Sequence, residues 1–550
     1  MRKSLLTLLI AAGALSASAQ SAIDAYTLGR QDLKGTARFM GMGGAFGALG
    51  GDLTTLSYNP AGIGVYRSSD IGMTMDLDFN HNTMDFSGLK TSVDRTSFLF
   101  NNIGYVGTAR FNGVLKNLNW GFTYNRAASF NRRYAGRAKN ITNSMSNYIA
   151  GVANSNELWL SDLQATSSYD PYVGYSDFAA PWITILGYES NLISPTTTDN
   201  EAPGFVGLYG AGTSGESIIE VDETGGIDEY NISFGGNFGN LIYWGMDFGI
   251  MNIDFTRRSL YTEYLDNAYV GVDGQSGTVM TRSQADWDIQ NYFSVSGSGW
   301  NYKLGFIVKP IQELRLGFAF HTPTWYKLTE DFGANTTYNY PQTDLRPGGA
   351  QTNGGYTGYN DFNLRTPWRF IASAAGVIDG KMIISADVDW TAHQYLKLSD
   401  PYYTRDSWGW ADEDINNPFY YTNKDIKDYY KTSVTFRAGV EYRVLPEFSV
   451  RLGYAHTSSP VKEAAKDDQM IIYTAGTDPS YEFDDATDYV TAGLGYRYKH
   501  FYLDAAYVYR HRSSEWHAFT ADPENLAGSG ATAKMTGANS QAVLTLGFKF

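Results

Sequence analysis

Apolar and polar positions alternate with a period of two along most of the chain. Near the C-terminus, Ala542, Leu544, Leu546, Phe548 and Phe550 share one parity, and Val543, Thr545, Gly547 and Lys549 share the other. Leu503, Ala505, Tyr507 and Tyr509 alternate with Asp504, Ala506, Val508 and Arg510, and Ile384, Ala386, Val388 and Trp390 alternate with Ser385, Asp387 and Asp389. This is the periodicity of a β-strand with two unlike faces. Each run is about ten to thirteen residues long, twice the usual strand of a soluble sandwich. At about 3.4 Å per residue and a tilt near 40°, ten residues cover the roughly 25 Å apolar band of an outer membrane. Small residues share the second face with Asp and Arg. A sandwich would show that face to water and tolerate large polar groups there, whereas an occupied barrel interior favours small ones. The pattern predicts an all-β fold, an antiparallel transmembrane β-barrel.

Fourteen strands are predicted, at roughly 70–80, 98–111, 118–130, 229–238, 241–254, 299–309, 313–327, 366–378, 381–393, 431–443, 447–458, 487–498, 501–512 and 538–550. Six tight turns, among them Asp379-Gly380 and Lys499-His500, alternate with seven long polar stretches. These lie near 81–97, 131–228, 255–298, 328–365, 394–430, 459–486 and 513–537, with 131–228 and 255–298 the largest. Outer-membrane barrels have short periplasmic turns and long external loops. The turns are therefore assigned to the periplasm and the long stretches to the outside. The barrel is expected over 70–550, with Gln20 and Phe550 both on the periplasmic side.

Composition narrows the class. The mean hydropathy of -0.31 excludes a polytopic helical membrane protein, which needs several apolar runs of about 20 residues. With no cysteine among 550 residues, a disulfide scaffold, a cysteine-ligated metal and a thiol nucleophile are excluded. A formal charge of -15 argues against nucleic acid as a partner. Arg2 and Lys3, the apolar stretch Leu5 to Leu15 and Ala17-Ser18-Ala19 form a secretory signal over 1–19.

Residues 20–69 do not alternate. Their run Gly41-Met42-Gly43-Gly44-Ala45-Phe46-Gly47 does not match a dinucleotide fingerprint, and no strand precedes it. Glycine lets chains approach closely, so this segment is expected to plug the lumen as an N-terminal hatch rather than trail as a periplasmic tail. Gly41-x-x-Gly44-Ala45 ahead of Tyr58-Asn59-Pro60-Ala61-Gly62, fourteen strands and a final Phe550 together resemble the FadL/TodX family of outer-membrane transporters for long-chain fatty acids and aromatic hydrocarbons. The resemblance implies a bacterial outer-membrane location and passive uptake of a hydrophobic small molecule. It also implies a lumenal apolar pocket beside the hatch, hatch movement, and lateral release at a kink in the third strand. Asn59, Pro60, Ala61 and Gly62 become the hatch motif.

Other site residues come from the sequence itself. Phe39, Met40, Met42 and Phe46 are candidates for ligand contact. In the third strand Trp120, Phe122 and Tyr124 lie on the lipid parity, and Arg126 would continue that row. A charge there costs about 2–4 kcal/mol at the bilayer midplane, so a kink or bulge at Asn125-Arg126 is expected, unless Arg126 sits at the headgroups. None of the seven histidines falls in a metal motif, and Asp412-Glu413-Asp414-Ile415-Asn416-Asn417 lacks the Gly and the final Glu of a calcium loop. No enzyme, metal or cofactor is expected. The expected partners are the ligand, outer-membrane lipid and lipopolysaccharide, and the barrel assembly machinery, around a monomer. A porin for polar solutes and a surface adhesin on a barrel anchor are the rival functions. Phe550, with apolar residues at every second position before it, has the form of an assembly signal. Deleting Phe550 should lower the amount of heat-modifiable folded barrel in the outer membrane, and an undiminished amount would place the signal elsewhere.

Overall fold

Ser69 and Phe550 exchange backbone hydrogen bonds of 2.9 and 3.0 Å. From there β1 (Asp70–Phe86) runs antiparallel beside β14 (Thr532–Lys549), in register from Asp70 against Lys549 to Asp85 against Lys534. This pairing closes a ring. Between them lie β2 (Leu89–Arg110), β3 (Leu115–Ser129), β4 (Ser214–Phe238), β5 (Ile242–Gly274) and β6 (Gly277–Val308). Then follow β7 (Leu314–His321, resumed as Trp325–Asn339), β8 (Gly358–Arg365, resumed as Arg369–Ile378), β9 (Met382–Ala392), β10 (Thr432–Arg443), β11 (Phe448–Thr457), β12 (Tyr481–Tyr498) and β13 (Phe501–His517). Each pairs with the next in order, so the fourteen-stranded sheet closes on itself. The computed structural model describes residues 21–164, 180–197, 204–274, 277–401, 418–466, 470–472, 474, 476–520 and 530–550. The secretory signal lies outside these residues. Among them no helix is long and apolar enough to cross a membrane.

The two faces separate along each strand. In β1, Ile71, Leu77 and Phe79 are exposed on the outside, and Asp70, Thr74, Asp76 and Asp78 are buried inside. The strands outrun the predicted ones, however. The stretches 81–97 and 255–298, expected as polar loops, are hairpins: β1 and β2 continue to a turn at Ser87-Gly88, and β5 and β6 rise together to their tips. The physical reason is an inversion of the apolar phase. In β5 the even-numbered Ile242, Met246 and Ile250 are exposed to lipid, and from Met251 the odd-numbered Met251, Ile253, Phe255 and Tyr261 are buried inside. Above the membrane water lies outside, so the apolar row turns inward as in a soluble protein.

That inward row needs a partner. Segment 131–228 supplies it with α2 (Met145–Ser155) and α3 (Trp182–Glu189), so it too is not a plain loop. Met145, Ile149, Ile183 and Leu186 pack on Ile219, Tyr261, Trp287 and Phe332 of the wall. The extracellular part of the barrel is thus filled by a helical cap.

The chain enters from the same end. Helix α1 (Ala22–Gly29) begins with a Ser21/Asp24 capping box, and its apolar Ala22, Ala25 and Leu28 pack with Phe255, Tyr430 and Phe483. Phe255 and Phe483 lie beyond Ile250 and Val490, the last exposed aliphatic positions of their strands. Ser21 therefore sits in the extracellular half of the lumen, and the expectation that the mature N-terminus faces the periplasm is corrected. From α1 the chain descends to Ser69 at the periplasmic end.

The cap is tied down at Glu263, which is fully buried. Its carboxyl accepts from the Ser144 hydroxyl, from Met145 N–H at 2.9 Å and from the Tyr261 hydroxyl at 2.7 Å. Burial pushes its pKa up to about 7 against those bonds, which lower it. A carboxyl whose folded pKa is raised stabilises the fold below its unfolded value and loses that contribution as pH rises through about 7. Hydrogen exchange of 145–155, corrected for intrinsic rates, should therefore be slower at pH 5 than at pH 8. Glu263→Gln should remove the difference, and an unchanged difference in that variant would contradict this origin.

Candidate functional site

Below α1, residues 37–66 fill the barrel as two short helices, Ala37–Met40 and Thr55–Tyr58, and a 3-10 turn, Pro60–Val65. Asn59 shapes the last turn. Its extended backbone precedes Pro60, whose ring fixes φ for the first helical position. The Asn59 side chain accepts from Ala61 N–H at 3.1 Å and donates to Gly47 C=O at 2.5 Å, joining the two glycine-rich segments. The wall is shaped to receive them. A Cβ on Gly305 would stand 2.0 Å from Asn59 Oδ1, and one on Gly245 would stand 2.0 Å from Pro60 C=O. These two register partners on β5 and β6 are glycine because the segment touches bare backbone.

Wall side chains then satisfy its polar backbone. Asp387 accepts from Phe46 N–H and Gly47 N–H, both at 2.9 Å. Thr545 accepts from Ala37 N–H at 2.7 Å, and Asn119 donates to Ile63 C=O at 2.5 Å. Arg38 is bidentate to Glu441, and Lys34 bonds Asp76 at 2.6 Å. The sequence placed these acids and amides on the inward row but did not single them out. Their signal is charge at inward positions of strands whose other face is wholly apolar.

Phe39, Met40, Met42 and Phe46 all reach the interior but do not share a surface. Met40, Met42 and Phe46 are fully buried against Ala319, Ile371, Ala455 and Val508. Phe39 alone of the four lines a lumenal cavity of about 180 Å³ above the segment. This cavity departs from the apolar pocket implied by the resemblance. Arg30, Lys303, His321, Arg369, Asp389 and Arg437 line it with several Ser and Thr hydroxyls, beside an apolar part that includes Leu33, Phe39 and Tyr58.

Asn125, Arg126 and Ala127 line the same cavity. There the wall is irregular on both sides of β3. The ladder from β2 to β3 starts at Arg110–Asn117 and ends at Asn102–Asn125, although β2 continues to Leu89. Toward β4 the register slips between Arg126–Asp228 and Ala128–Ile227, so Ala127 is the extra residue of a β-bulge. Arg126 keeps the outward parity of Tyr124, in register with Asp228, and its guanidinium pairs with that aspartate at 2.9 Å. Phe98 and Phe100 stand exposed outside, edge to face at 5.4 Å. Phe550 stacks on Phe548 at the opposite, periplasmic rim. The acidic run 412–417 lies outside the described residues.

A closed, plugged fourteen-stranded barrel with these features is a bacterial outer-membrane transport barrel. The family model of the outer membrane protein transport proteins (OMPP1/FadL/TodX) matches residues 245–550, more than half of the chain. The chain belongs to that family. Among solved structures it is similar to a Pseudomonas aeruginosa FadL homologue, at 14% identity over 95% of this chain and 100% of that one, with a TM-score of 0.52. It also matches the P. putida toluene transporter TodX, at 12% identity over 94% and 99% of the chains, with a TM-score of 0.48. No curated protein matches it.

Asn59→Ala would strand the buried Gly47 C=O and Ala61 N–H, at about 1–3 kcal/mol for each unmet group. We expect normal levels of heat-modifiable barrel, faster proteolysis of 30–66 from the periplasmic side, and a leak to small ions in planar bilayers. Gly305→Val should do the same by displacing Asn59. Wild-type conductance and protease resistance in both variants would show that this contact does not hold the segment.

Proposed function

We propose that the chain carries hydrophobic small molecules passively across the outer membrane, with residues 20–69 as its hatch, and that they leave sideways through the wall at β3. One observation carries this. The lumenal cavity abuts the place where β2 and β3 part and β3 bulges, with exposed Phe98 and Phe100 outside it. Lipid forbids unpaired backbone unless something else satisfies it, so a parted ladder there calls for a reason. The close fit of 37–66 to the wall disfavours an aqueous pore, which weakens the porin alternative. A hydrophobic solute gains roughly 0.8 kcal/mol for each methylene it moves out of water, so a route ending in the bilayer needs no energy source.

The surface-anchor alternative draws on one feature, the filled extracellular part with a groove of about 830 Å³ between Arg133, Arg258 and Tyr356. Deleting Ala127 separates the two. The deletion restores the β3–β4 register and should draw the wall shut. Uptake of a labelled hydrophobic solute by whole cells should fall at least about tenfold, toward that of cells lacking the protein, with the folded barrel unchanged. Uptake at the wild-type rate would set the lateral route aside and favour the anchor.

A further inference from the structure

The cavity beside the β2–β3 break is hydrogen-bonding, and its charges other than Arg30 are matched among the described residues. Arg369 and Arg437 both hold Asp389, and Lys303 holds Glu229 and Asp247. Lys34 holds Asp76, Arg126 holds Asp228, and Asp32 meets Arg510 at 3.3 Å. What remains is a set of hydroxyls and amides beside an apolar part made by Leu33, Phe39, Tyr58 and Tyr489. Thr322, Thr366, Thr391, Ser433 and Thr435 line the cavity. So does Asn301, which is buried and donates to Thr324 Oγ1 at 3.0 Å while its own Oδ1 has no partner. On the facing hatch side Arg30 Nε is a buried donor without a partner.

We infer that the compounds accepted here carry an uncharged hydrogen-bonding head, a hydroxyl or amide, on a hydrophobic body, and that the head lodges in this cavity. The inference rests on the lateral-exit proposal and names the substrate class of the same route. Three physical points support it. A pure hydrocarbon has nothing to offer the lining, and by filling the cavity it would leave polar groups such as Asn301 Oδ1 unmet. A carboxylate would find Arg30 as its one uncommitted cation and would crowd the Asp32, Glu229 and Asp389 carboxylates already in the lining, while Arg369, Arg437 and Lys303 are held by buried partners. A hydroxyl is both donor and acceptor, so it can serve either Asn301 Oδ1 or the Arg30 guanidinium and leaves the ion pairs intact. A cavity of about 180 Å³ holds a single aromatic ring with its head, the head among the hydroxyls and the body against Leu33, Phe39 and Tyr58.

Toluene, benzyl alcohol and benzoate share one body and differ only in the head. Their uptake is measured in cells with the protein, above the rate of cells without it. Benzyl alcohol should enter about five-fold faster than toluene, the ratio given by one hydrogen bond of ordinary net strength, and benzoate slowest. Asn301→Leu, close in shape, should bring the ratio of benzyl alcohol to toluene uptake down toward one. Ser433→Ala, the loss of one hydroxyl, is the second variant if the first lowers the amount of barrel. Toluene entering as fast as benzyl alcohol, with neither variant changing the ratio, would overturn the inference and leave the route standing. Benzoate entering fastest, and losing that lead in Arg30→Gln, would overturn it in favour of an anionic head. No probe entering above the control would overturn the transport proposal, and the inference with it.

Discussion

In a bilayer every backbone N–H and C=O needs a partner within the protein, and this constraint organises the molecule. It makes the strands pair all the way round and join β14 to β1, with Ser69 and Phe550 completing the seam. It also gives weight to the one stretch where β2 and β3 part. Nearby polar groups ease that departure. Asn102 donates to Asn125 across the end of the ladder, and the Tyr124 hydroxyl donates to Asp228 at 2.7 Å. Arg126, on the outward row just before the bulge at Ala127, is neutralised by the same aspartate.

The plug obeys the same rule from inside. A segment without regular structure carries many free backbone groups, and its burial is favourable only if the wall answers them. Asp387, Thr491, Thr545, Asn117 and Asn119 do so, and small wall residues let the two backbones touch. Such a contact resists sliding because many bonds break together. A passage that skirts the plug and exits through the wall asks less of it than one that runs through it.

Much of this was legible in the sequence, for physical reasons. Lipid outside and small or charged groups inside give a clean period of two, so all fourteen strands were found within their membrane spans. The turn at Asn59-Pro60 was legible because the pair specifies it locally. The extracellular half was misread because its apolar row changes parity. Ile250-Met251, two apolar neighbours where alternation demands one, marks that change in β5. The direction of α1 could not be read, since Ala22, Ala25 and Leu28 suit any apolar layer and only tertiary packing selects one. The polar cavity is also an assembly from afar. Lys303, Arg369, Asp389 and Arg437 each look like ordinary inward charges, and only the closed ring brings them together above the hatch.

The central claim is that solute leaves through the wall beside β3. A photoreactive residue placed at Phe100, outside the break, reports the path when cells take up a tritiated hydrophobic solute under illumination. Leu494, on the lipid face of β12, and Tyr502, in the periplasmic mouth beside Asp70, serve as the comparison positions. The lateral route predicts label at position 100 well above that at 494 and 502. Strong labelling at 502 with none at 100 would mean that solute passes the plug into the periplasm, and would contradict the account.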